Sequence, residues 1–276
     1  MKNTVKVGIA TGIAGGLILL GMVGIVLFDA QHRFIKHIWR SQESITDRKP
    51  TNAYKITTIQ GFQVLFDKDL LEDPEQSLAL VKQFDSALAK ISKVVAPAQL
   101  AELKKTRIWI SVERHRTVDE PDYGEAHGAQ TIAVYRKSTP ATLKKHGHNP
   151  DKAKSVEVFN APLFSAAPPE LREAVLLHEL AHAYHDKVLG ADNTDIRDAY
   201  RKAMDRGLYN VVDSRSPEEN QAYAATNHFE YFAELSVAYH MRNDGFPKDR
   251  AMLARRDPIG HALMQQFWGR PRAAKP

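Results

Sequence analysis

Polar and apolar positions divide this chain into stretches of different period. Val7–Phe28 has no charged interruption: 22 uncharged, mostly apolar residues in a row, enough to cross a bilayer as one helix. Gln31–Thr58 is polar and mixed and reads as a juxtamembrane linker. Ile59–Phe66 predicts a short strand. Asp73-Pro74-Glu75 predicts a helix start, and Ser77, Leu78, Leu80, Val81, Phe84, Leu88, Ile91 and Val95 continue it with a helical period up to Pro97. Arg107–Glu113, Thr131–Tyr135 and Ser155–Asn160 read as strands, the last two joined by a loop, Lys137–Lys154. Leu171–Leu189 is apolar nearly all round and predicts a buried helix, opened by Pro168-Pro169 and stopped by Gly190. A later helix opens on Ser216-Pro217-Glu218-Glu219 and runs to Met241, with Tyr223, Asn227, Glu230 and Glu234 as one polar stripe beside Phe229, Phe232, Leu235 and Val237. A last helix is expected near His261–Trp268. These boundaries give a signal anchor over 1–30, a linker over 31–58 and one folded domain over 59–276.

Composition changes this picture little. A net charge of +5 and a pI near 9.2 come from scattered basic residues, with no basic-aromatic pattern, so a nucleic-acid role is not expected. The absence of cysteine excludes disulfides, thiolate ligands and a cysteine nucleophile. Phe28 stands where a cleavable leader would carry a small residue, so an uncleaved anchor is the reading, with a secreted product if the leader is cut. Lys2 and Lys6 face Arg33, Lys36 and Arg40 across the run. A short amino-terminal flank followed by a long soluble region is expected to place the domain outside the cytoplasm, periplasmic or at the cell surface. Gly8, Gly12 and Gly16 form a small-residue stripe suited to homodimer packing.

The candidate chemistry lies in His178-Glu179-Leu180-Ala181-His182, an HExxH pattern. Residues four apart share a helix face, so His178 and His182 can direct two imidazoles at one metal ion, with Glu179 beside it as the base. A catalytic zinc takes three protein ligands and keeps one position open. His185 occupies the place where the HExxHxxGxxH pattern has its glycine, and Val188 the place of that pattern's last histidine, so that subclass is excluded. His115, His127, His146 and His148 sit in polar stretches and read as exposed non-ligands. The buried polar stripe of the later helix is the better source, because carboxylates on an apolar face need a compensating cation.

HELAH followed by YAATNHFEYFAEL resembles the gluzincin metallopeptidases of the anthrax lethal factor type. VEVFNA and NDGFP (Asn243–Pro247) are also similar to stretches in secreted bacterial proteins of that group, and the resemblance covers roughly Arg107–Pro247. It implies an α+β, zincin-like domain: a small mixed sheet, the HExxH helix and a following glutamate-bearing helix. It implies one Zn²⁺ on His178, His182 and Glu230, with Tyr223 stabilising the oxyanion and Glu234 orienting a ligand histidine. The expected function is a membrane-anchored, extracytoplasmic zinc metallopeptidase acting on a protein or peptide substrate. Two alternatives stand: a membrane-tethered binding or assembly protein with a structural zinc, closed by His240, Glu234 or His185, and an amide hydrolase acting on cell-wall peptides. An extended substrate is expected to add to a sheet edge, for which Ser155–Asn160 is the candidate, an interior strand being the alternative.

Overall fold

Gln60 and Gly61 both adopt positive φ, 49° and 83°, and that pair turns the chain back on itself as a two-residue hairpin. In this computed structural model, which describes residues 49–112, 132–210 and 222–269, the hairpin joins β1 (Tyr54–Ile59) to β2 (Phe62–Asp67). The strand expected over Ile59–Phe66 is therefore the turn and most of β2. Tyr54–Thr58, read as linker, belong to β1. The pattern hid this strand because Lys55, Ile56, Thr57 and Thr58 are not buried and show no apolar alternation.

The sheet has five strands in the order β1-β2-β3-β5-β4, with β3 at Ile108–Ile110, β4 at Ala133–Tyr135 and β5 at Val156–Val158. β2, β3 and β5 run parallel, while β1 and β4 are antiparallel edges. Ser155–Asn160 is thus not the edge. Val156 gives its N–H to Arg107 on the β3 side, and β4 covers the other side through Val134↔Glu157 and its neighbours. Alternation sorts the faces. Val64, Phe66, Ile108, Ile110, Val156 and Val158 enter the main core, whereas Tyr54, Leu65 and Trp109 form a smaller cluster on the opposite face.

The helices, in chain order, are α1 (Pro74–Val94), α2 (Pro97–Leu103), α3 (Pro140–Lys145), α4 (Ala161–Ala166), α5 (Pro169–Tyr184), α6 (Thr194–Asp205), α7 (His228–His240), α8 (Arg250–Arg256) and α9 (Pro258–Trp268). α1 starts where expected: Asp73 accepts from the N–H groups of Glu75 and Gln76, and Leu80, Phe84, Leu88 and Ile91 are buried, although Leu78 is exposed. Lys137–Lys154 is not a plain loop, since Thr139 caps α3 inside it and Pro150–Lys152 form a 3₁₀ turn. α5 carries the HExxH residues and packs on α7, α1 and β4. Its last turn widens into a π-helix, His185–Gly190, and Gly190 ends it at φ 87°.

Tyr223 and Asn227 do not share a helix with Glu230. Tyr223 lies on a 3₁₀ turn, Tyr223–Ala225, and Asn227 is extended, at φ −166° and ψ 175°. The Asn227 side chain accepts from the N–H groups of Phe229 and Glu230, and that cap starts α7 at His228. Val7–Phe28, the glycine stripe, His115, His127 and the helix start at 216–219 lie outside the described residues. Among the described residues no helix is long and apolar enough to cross a membrane.

Candidate metal centre

α5 and α7 bring the site together from 52 positions apart in the chain. On α5, Leu176, Leu177, Leu180 and Ala181 are fully buried, so the helix cannot rotate without exposing them, at about 1.5–3 kcal/mol per large side chain. That fixes the opposite line of the helix, where His178 and His182 stack one turn apart with rings 4.7 Å centre to centre. On α7, every residue from Tyr231 to His240 is buried. Its first turn is held by Asn227, and Glu230 sits in that turn, where the amino end of a helix favours a carboxylate.

Three ligand atoms converge. His178 Nε2 is 3.0 Å from Glu230 Oε2, His182 Nε2 is 3.2 Å from the same oxygen, and the two Nε2 atoms are 3.0 Å apart. Their side chains are 12–13% exposed. Metal–ligand bonds of about 2.0–2.1 Å in tetrahedral array place ligand atoms about 3.3 Å apart, so the triangle fits three corners of such a site. The donor chemistry agrees. His178 Nδ1 lies 3.0 Å from Glu234 Oε1; donating its proton there leaves Nε2 of the neutral ring with a lone pair facing the other two ligand atoms. His178, His182 and Glu230 are thus a group that could hold a metal ion.

The concentration of negative charge shows in the proton equilibria. Burial opposes the imidazolium of His178, but the Glu230 and Glu234 carboxylates outweigh it and raise its pKa well above the ordinary value. Burial likewise pushes Glu230 up, and the His182 and His178 rings outweigh that and hold its carboxyl far below the usual range. Glu179 is 8% exposed and lines the cleft beside the triad. Tyr223 stands across from His178, rings 6.1 Å apart, with 36% of its surface at the cleft mouth. Desolvation, then the carboxylates of Glu230, Glu179 and Glu234, push its phenol above the ordinary tyrosine value.

Glu234 is itself held. Its Oε2 accepts from Asn243 Nδ2 at 2.8 Å, and Asn243 Oδ1 accepts from the Gly245 N–H at 3.2 Å. A Cβ on Gly245 would stand 2.9 Å from Glu234 Oε2, so only glycine lets the turn approach this closely. The NDGFP stretch therefore buttresses His178 at one remove. Its spacing alone carries no sign of that, because the contact forms only when the turn folds back on α7.

Other expected participants lie elsewhere. His185 is fully buried against Phe229 and Phe232, neither ring nitrogen has a hydrogen-bond partner, and burial, with His228 and His182, lowers its pKa to about 3. His240 packs edge-on to Trp268. His146 and His148 contribute no atom to the cluster. None of His185, His240 and Glu234 supplies a fourth converging ligand atom among the described residues.

The triad opens on a cleft of about 390 Å³ whose wall includes the edge strand β4. Tyr135 donates its hydroxyl to Asp186 Oδ2 at 2.6 Å, which ties β4 to the π-helical turn beyond α5. No family model, curated protein or solved structure matches this chain.

Proposed function

We infer that this protein is a zinc-dependent metallopeptidase, its domain carried outside the cytoplasm by the apolar run Val7–Phe28. The carrying observation is the triangle of His178 Nε2, His182 Nε2 and Glu230 Oε2, with edges of 3.0–3.2 Å. Two imidazoles and one carboxylate are a donor set suited to a catalytic zinc that keeps a position open. The resemblance of the HELAH and YAATNHFEYFAEL stretches to gluzincins supports the same reading. A zinc ion held there would supply Lewis acidity and an acidified water.

The chain's own groups supply the rest. Glu179, beside the triad in the cleft, takes a proton from the attacking water and passes it to the leaving amine. The Tyr223 hydroxyl, kept protonated by its raised pKa, donates to the developing oxyanion. Glu234, held by Asn243, keeps the His178 ring in the tautomer and orientation that direct Nε2 at the ion. β4 presents its outer edge along the cleft, where an extended peptide can add as a sixth strand.

The test is metal content of the purified full-length chain, wild type against Glu230→Gln, followed by assay on unstructured protein and on peptidoglycan fragments. Stoichiometric zinc weakened in the variant, with protein cleaved, is the expected result. Zinc retained tightly without Glu230 would sink the assignment, and cleavage of the cell-wall fragments alone would move the substrate to that class.

A further inference from the structure

The cleft continues past the triad in both directions, and its two arms differ. One arm is walled mainly by apolar side chains, Ile132, Leu171, Val175 and Val237, with Asn243 and Asp244 also lining it. The other carries Lys137, Lys154, Asp186 and Phe229. Lys154 is neutralised within the wall, its ammonium 2.7 Å from Asp186 Oδ2. Lys137 is not: among the described residues no carboxylate lies within ion-pair distance of it. Its Nζ rests 5.6 Å from the centre of the Phe229 ring, the residue next to Glu230. An exposed ammonium resting on an aromatic wall of the cleft, with no carboxylate partner among the described residues, can receive an anion.

Strand direction says which part of a peptide reaches it. Lys137 lies two positions beyond the carboxyl end of β4, and Ile132 one position before its start. Antiparallel pairing is the more stable mode of addition. A peptide added that way runs its amino-terminal part past Lys137 and its carboxyl-terminal part past Ile132 into the apolar arm. We propose that Lys137, braced on Phe229, forms a subsite for an acidic side chain at the residue preceding the scissile bond. The inference rests on the peptidase reading above, and it names the chemistry of the substrate: an extended segment with a carboxylate before the cut and an apolar side chain after it.

The experiment uses the full-length, zinc-loaded chain and two peptides identical except for Glu or Lys before the scissile bond. The readout is the Glu/Lys ratio of kcat/KM for wild type and for Lys137→Glu. Fluorescence anisotropy of the same peptides on the Glu179→Gln background measures binding without turnover. Wild type should favour the Glu peptide by about fivefold, an advantage that falls with added salt, and Lys137→Glu should reverse it. An unchanged ratio in Lys137→Glu overturns the subsite while leaving the hydrolase intact. So does a Lys137-dependent preference for a free carboxyl-terminal carboxylate, which would mean the peptide runs the other way. If neither peptide is cut but wild type binds the Glu peptide in a Lys137-dependent way, the subsite stands and the peptidase reading falls.

Discussion

Two carboxylates of this domain are buried in different company. Glu157, on β5, is fully buried and meets two basic side chains, Arg136 Nε at 2.6 Å and Lys152 Nζ at 2.5 Å, both fully buried as well. Glu230, on α7, meets two imidazoles and the Tyr223 phenol and no permanent cation among the described residues, with Glu179 and Glu234 nearby. The first group has its charge compensation built in and joins β4 and β5 with the turn before β5. The second gathers three carboxylates around two rings whose positive charge depends on a proton. A buried carboxylate that meets guanidinium and ammonium closes a structure, while one that meets imidazoles can share them with a divalent ion.

The largest expected effect falls beside the second group. Glu179→Gln should cut hydrolysis by about a thousandfold with bound metal unchanged, measured as kcat/KM against metal content on the same samples. If activity survives, Glu179 is not the base. Next, Glu157→Gln should destabilise the fold by about 3–5 kcal/mol in chemical denaturation, because it removes a fully buried negative charge from between Arg136 and Lys152. Glu230→Gln in metal-free protein should cost far less, and equal losses would erase the contrast between the two carboxylates. Glu234→Gln should weaken metal binding by about 10–100-fold in a chelator competition, through His178 alone. An unchanged affinity would reduce Glu234 to packing.

The smallest effect tests the neutral histidine. His185, with a folded pKa lowered to about 3, contributes stability that is present above the unfolded value near 6.5. That contribution is lost as pH falls from there toward 3, at up to about 1.4 kcal/mol per unit. His185→Phe should flatten that part of the stability profile in urea titrations, and an unchanged slope would mean that the ring is not neutral in the folded state.

Spacing made the α5 half of the site legible, because two histidines four apart on a helix face one way whatever surrounds them. The buried polar stripe offers Glu230 and Glu234 together and resemblance alone singles out Glu230, since its distance to His182 is a property of how α7 packs. Periodicity alone carries the polar stripe through Tyr223 and Asn227 as though one helix bore all four residues. Asn227 breaks that reading by capping α7, a role whose competition with helix continuation a periodicity count does not weigh. The same limit hid β1, whose exposed residues owe their place to pairing with β2. The edge strand fell to β4, because an antiparallel partner can close a parallel run at either side and strand order is not written in alternation.

The 52-position separation between His178 and Glu230 has a thermodynamic consequence. An unfolded chain offers at most a local pair of histidines, and the third ligand arrives only when α7 docks on α5. An ion held by all three therefore binds the native state far better than the denatured one, and mass action adds about 4 kcal/mol of stability at a thousand times Kd. On the proposed reading, metal supply would set the lifetime of this protein as well as its activity, and a chelator would loosen the two central helices in the same step that silences the cleft.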